Sequence, residues 1–103
     1  MLEIREIEVN GYRLKVQEMN WETAEKYVEG GKALANNSDA TIKDWNERTI
    51  SVVLENLKAA GNEEWTAERF KKEFGMKGTR KILESILDAS GLLPVEPGGA
   101  KAA

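Results

Sequence analysis

A chain of 103 residues with 15 basic and 18 acidic side chains fits one domain of formal net charge −3. It has no histidine and no cysteine, which excludes the commonest general base, thiol and Ser-His-Asp nucleophiles, and the familiar zinc sites. The acidic balance gives no whole-molecule attraction to nucleic acid or anionic lipid.

The remaining chemistry is sparse. Glu63-Glu64 beside Trp65 reads as a solvated loop pair, with no second carboxylate assigned opposite it. Gly75-x-x-Gly78-Thr79 is too short for a phosphate-binding loop, and no Asp/Asn repeat has calcium spacing. No enzyme activity, cofactor or metal is expected. Apolar runs such as Val52-Val53-Leu54 are far below the ~20 residues that span a bilayer. Met1–Glu6 lacks the basic and apolar regions of a signal peptide. A cytoplasmic protein is the expectation.

Asn10-Gly11 opens the organised part. Both residues tolerate positive φ, so the pair predicts a two-residue hairpin turn. Closing it there sets Val9 opposite Tyr12 and Ile7 opposite Leu14 on one face. The other face then pairs Glu8 with Arg13 and Glu6 with Lys15. Ile4 falls out of phase, which predicts a bulge near Arg5-Glu6 or a later strand start. Two strands alone are marginal in water, so the apolar face must lie on helices or on a partner's sheet.

Four helical stretches follow. Asn20 caps the first, where Trp21, Ala24, Tyr27, Val28 and Leu34 form a stripe that Gly30-Gly31 is expected to end or bend. Asp39 is expected to cap the second, over about residues 40–60, with Ile42, Trp45, Thr49, Val53 and Leu57 along one side. Thr66 caps a short third helix, with Trp65 and Phe70 spaced as a hydrophobic staple and Gly75 as its stop. The fourth is expected from Thr79 to Ser90, with Ile82, Leu83, Ile86 and Leu87 inward. Gly91 should be its left-handed cap, and Leu92 should fold back on Leu87. Residues 94–103, rich in Pro, Gly and Ala, have little to offset the entropy of ordering and read as a flexible tail. The expected fold is α+β: residues 1–93 as one domain, a hairpin followed by a small bundle of three to four helices.

Residues 69–81 hold six basic side chains against Glu73 alone. A helix-turn-helix regulator is the alternative this raises, with Thr79–Glu84 entering a major groove. Aromatic and apolar placement nominates Trp45, Trp65, Phe74, Met76, Leu92 and Leu93 as partner-binding, with core packing the competing role for the aromatics. Phe74, Met76, Leu92 and Leu93 are the expected exposed apolar group.

The order of elements, from Ile7–Leu14 through the helix at Asn20-Trp21-Glu22-Thr23-Ala24 to the closing Ile82–Leu92 with its Ala89-Ser90-Gly91-Leu92 ending, resembles the tail assembly chaperones of long-tailed bacteriophages. The resemblance covers about residues 5–93 and implies a non-enzymatic role. Such chaperones coat the tape-measure protein, help recruit tail tube protein until polymerisation displaces them, and are absent from the finished virion. It implies the cytoplasm of a bacterial host, and many members have a longer frameshifted form. A homo-oligomer is compatible with it, membrane association is not expected, and nucleic acid is not an expected partner. A structural tail or connector component is a further alternative.

Overall fold

Asn10 and Gly11 both take positive φ, 53° and 82°, and turn β1 (Ile4–Val9) into β2 (Tyr12–Gln17). The structure, a computed structural model, describes residues 1–92; the expected domain boundary after residue 93 and the tail lie outside the described residues. The antiparallel register has the expected pairs, Val9 with Tyr12 and Ile7 with Leu14 on one face, Glu8 with Arg13 and Glu6 with Lys15 on the other.

The ladder then continues unbroken to Ile4 opposite Gln17, so the expected bulge is absent. Ile4 belongs to the outer face and is exposed. Its inner neighbour is Arg5, opposite Val16. A charge is tolerated there because the arginine runs out to the edge of the core, where its guanidinium meets Glu3 and, at 2.6 Å, Asp88. These hydrogen bonds, that to Glu3 foremost, hold the guanidinium more firmly protonated than usual.

The helices are α1 (Trp21–Ala35), α2 (Ile42–Ala59), α3 (Ala67–Glu73) and α4 (Met76–Ala89). With the hairpin they make the expected α+β fold. Asn20 and Thr66 cap α1 and α3 by accepting from Thr23 and Arg69 amides at 2.8 and 3.1 Å. Thr41, not Asp39, caps α2, in a reciprocal box with Asp44. α2 and α4 both end on a left-handed glycine, Gly61 and Gly91. In each the next amide folds back, Asn62 to Leu57 O at 3.1 Å and Leu92 to Leu87 O at 2.8 Å.

Two further helix expectations are corrected. α1 does not end at Gly30-Gly31 but continues through them to Ala35. The glycines are there for close approach, because a Cβ at either would lie 3.2 or 3.1 Å from the Arg48 guanidinium group of α2. Arg48 spans the gap, donating from Nη2 to Tyr27 O and stacking 4.2 Å from the centroid of the Tyr27 ring. α4 begins at Met76 rather than Thr79. Gly78 is buried in its first turn, where a Cβ would come 3.1 Å from Asn10 Nδ2 of the hairpin tip.

The hairpin lays its inner face on α2 and α4. Val9, Leu14 and Val16 meet Val53 and Leu57 of α2 and Ile82 and Ile86 of α4. α1 contributes no fully buried residue, and Trp21 at its start is 85% exposed. No helix among the described residues is long and apolar enough to cross a membrane.

Candidate functional site

Seven residues of α3 end at Phe74, whose extended backbone and that of the following Gly75 lead directly into α4. This two-residue connection brings the end of α3 and the start of α4 together beside α2. An aromatic cluster holds it. Phe70 and Phe74 stack at 4.7 Å, and Trp65 meets them edge-on at 6.2 and 5.4 Å. Tyr12 of the hairpin closes the group, 5.3 Å from both Trp65 and Phe74. Arg69 covers the outer face of Trp65 with its Cζ 4.0 Å from the ring centroid.

The hairpin tip is fastened to the same corner by polar contacts. The Tyr12 hydroxyl donates to Glu73 Oε1 at 2.8 Å, and Asn10 Nδ2 donates to Glu73 O at 3.3 Å. The hydrogen bond to the Glu73 carboxylate favours the neutral phenol and raises the Tyr12 pKa above its ordinary 10.0.

Between α2 and the α3–α4 corner lies an open groove of about 640 Å³, within the ~300–1,000 Å³ range of ligand-sized sites. Ile42, Asn46 and Ile50 of α2 form one wall; Phe74, Met76 and Leu83 form the other. Lys43, Lys71 and Arg80 stand at its rim with Glu47. Lys71 bridges to Glu47 across the gap at 3.4 Å. The groove hydroxyls are turned away, Thr79 to Gly75 O at 2.8 Å and Thr49 to Trp45 O at 3.1 Å. Among the described residues, no group of three or more His, Cys, Asp or Glu is placed to hold a metal ion. What this surface offers is apolar contact with charge at its edges.

The five nominated residues that are described do not gather into one site. Met76 is 65% exposed at the lip of the groove. Phe74 reaches the same groove from beneath but is only 3% exposed. Its place in the expected exposed group is therefore corrected: the ring is spent on the aromatic cluster. Trp65 is 7% exposed and belongs to the core, its indole N–H without a hydrogen-bond partner among the described residues. Trp45 is 38% exposed on α2 and does not line the groove. Leu92 is half-buried against the core, also away from the groove, and Leu93 lies outside the described residues.

Ile42, Ile50, Arg80 and Leu83 complete the groove without having been nominated. Ile42 and Ile50 appear in the sequence as ordinary members of the α2 stripe. Their signal is that this stripe extends beyond what the hairpin covers: the buried residues of α2 are Val53, Asn56 and Leu57, all in its second half. In the basic stretch, Lys77, Arg80 and Lys81 are exposed, whereas Gly78 is buried against the hairpin tip and Thr79 is buried at the groove.

The fold and groove define a small α+β domain with an apolar trough between helices. Comparisons with protein-family models, with curated proteins and with solved structures find no significant match for this chain.

Proposed function

We propose that this protein is a non-catalytic assembly factor that holds a helical segment of another protein in the groove between α2 and the α3–α4 corner. The observation that carries the reading is the groove itself, where Ile50, Phe74 and Leu83 form an apolar floor and Met76 and Ile42 project from the lips. Helix-in-groove recognition uses this arrangement, an apolar trough that receives one face of an amphipathic helix. A flexible methionine at the lip adapts to side chains of different shape. The moderate size suits grip followed by release.

The tail assembly chaperone of a long-tailed bacteriophage is the particular role this fits, with the tape-measure protein as client and tail tube protein as the next partner. The layout of hairpin and helices described above supports it, together with a surface fit for a long helical client. Several copies on one client chain would hold it by avidity, without any single tight contact. On this reading the protein acts in the host cytoplasm and is absent from finished virions.

A helix-turn-helix regulator, with Thr79–Glu84 in the major groove, has less support, because only Phe74 and Gly75 join α3 to α4, where that motif has a turn of about three to four residues.

Co-expression with the tape-measure protein of the same genome tests the proposal. A soluble, co-purifying complex is expected, and Ile42→Ser/Met76→Ser should disperse it without altering the fold. Two proteins that elute separately, or detection of this chain in purified virions, would count against the chaperone role.

A further inference from the structure

We infer that the segment received by the groove is an amphipathic helix carrying acidic residues beside its apolar ridge. The inference rests on reading the groove as a helix-binding site and adds the charge of the occupant. Three cations and one carboxylate stand around the trough, and the carboxylate, Glu47, is engaged by Lys71. Lys43 and Arg80 make no ion pair among the described residues. One belongs to the α2 wall and the other to the α4 wall, so a cation without an ion pair among the described residues flanks the trough on each side. This is a local reversal in a chain whose formal net charge is −3.

The apolar ridge sets which face a helix lying there presents, and charge acts on the positions beside it. With apolar residues at i, i+3, i+4 and i+7 directed to Ile50, Phe74 and Leu83, the flanking positions face Lys43 on one side and Arg80 on the other. Glutamates at those positions meet a cation on either wall, whereas lysines meet like charge. The rim thus selects against basic helices as well as for acidic ones. The start of α4 strengthens the bias, since its first turn holds no acidic residue and Gly75 provides no side-chain cap. Duplex DNA is the other polyanion these cations would attract. An apolar trough between them is unsuited to phosphate, which loses water there without gaining donors.

The full chain is titrated with two labelled synthetic peptides of about 18 residues, or five helical turns, followed by fluorescence anisotropy. They share one apolar ridge and differ only in flanking residues, glutamate in one and lysine in the other. The glutamate peptide should bind at least about tenfold tighter at low salt, with the advantage shrinking as salt is raised. Lys43→Glu/Arg80→Glu should reverse the preference, while Ile42→Ser/Met76→Ser should weaken both peptides. Equal or tighter binding of the lysine peptide, lost in Ile42→Ser/Met76→Ser, would overturn the charge assignment and leave the groove reading standing. If neither peptide binds, both fall together. A duplex shifted through Arg80, or a sedimentation mass that changes in Lys43→Glu/Arg80→Glu, would hand the groove to DNA or to a second copy and overturn the inference.

Discussion

Asn56 and Gln17 are joined as residues of neighbouring strands are: the Asn56 side chain accepts from Gln17 N at 2.9 Å and donates to Gln17 O at 2.8 Å. Asn62 repeats the pairing two residues earlier, with Lys15 N at 2.9 Å and Lys15 O at 2.7 Å. Ser90 Oγ then accepts from Met19 N at 2.9 Å. In an antiparallel hairpin, alternate residues turn their backbone groups away from the partner strand. Here the helices supply side-chain amides and a hydroxyl where a third strand would pair, so β2 has its edge covered. That is how a two-stranded sheet, marginal by itself, becomes part of a stable domain.

Asn56 is buried, and its partners, a backbone N–H and a backbone C=O, need an acceptor and a donor on the same side chain. Asn56→Ala should cost about 1–3 kcal/mol, the penalty for leaving buried polar groups unpaired. Asn56→Asp should be no rescue, because a carboxylate can accept from Gln17 N but has nothing to donate to Gln17 O. Urea denaturation of the two variants and of Asn62→Ala, which lies nearer solvent, measures the order; Asn62→Ala should be the mildest. Equal stability of Asn56→Ala and the parent chain would remove the edge-sealing role.

Gly31 tests the limits of a helix rule. Alanine in place of glycine within a helix ordinarily stabilises by about 1 kcal/mol. At Gly31 the new Cβ would meet Arg48 Nη2 at 3.1 Å, and that group is engaged by Tyr27 O. Gly31→Ala should therefore yield less than the ordinary gain in the parent chain and recover it in an Arg48→Ala background. A double-mutant cycle by thermal or urea unfolding reads the coupling directly. Strict additivity would mean that Arg48 yields freely and that the glycine pair has another origin.

Tyr12 fixes the response to alkali. Its folded pKa is raised above 10.0 by the bond to Glu73, so folding binds its proton more tightly than the unfolded chain does. The stability it contributes is complete below the unfolded value near 10 and is lost as pH rises through the folded pKa. Tyr12→Phe should lower stability at neutral pH and flatten the decline above about pH 10. Absorbance at the phenolate band gives a second measure: the part of the titration that disappears in Tyr12→Phe should lie at higher pH than free tyrosine. A Tyr12 titration at or below the ordinary value would sink the assignment.

Much of this architecture is legible locally, and most of the misses share a cause. The turn at Asn10-Gly11 is dictated by positive φ, and one register satisfies both faces of the hairpin, so the pairing could be read out residue by residue. Caps at Asn20, Thr66 and Gly91 are similarly short-range. The cap of α2, Thr41 rather than Asp39, is a local miss; the others involve partners distant in sequence. Gly30-Gly31 looks like a break until Arg48 is seen lying on it, and Gly78 looks like a linker until the hairpin tip arrives. Asn56 is an unremarkable polar residue of α2 until it meets Gln17. The candidate site suffers most, since Phe74 and Met76 are equally apolar and flank the same glycine. Only the stacking of Phe74 with Phe70 and its contacts with Trp65 and Tyr12 send one inward and leave the other outside.

That division gives a test separating fold from function on either side of Gly75. Phe74 is 3% exposed and contacts three aromatic rings, so Phe74→Ala should cost about 3–5 kcal/mol. A chain of this size has only about 5–15 kcal/mol in hand, and loss of client binding in that variant would report damage to the core. Met76, 65% exposed, should tolerate serine within about 0.5 kcal/mol, as surface positions do. Met76→Ser, tested with Ile42→Ser on the opposite lip, should keep the parent's urea midpoint while weakening capture of a helical partner. Denaturation curves and binding isotherms on the same preparations decide the matter. If the double lip variant binds as the parent does, the trough is packing space at the end of α2, and the partner surface belongs elsewhere, with exposed Trp21 and Trp45 the next to be changed.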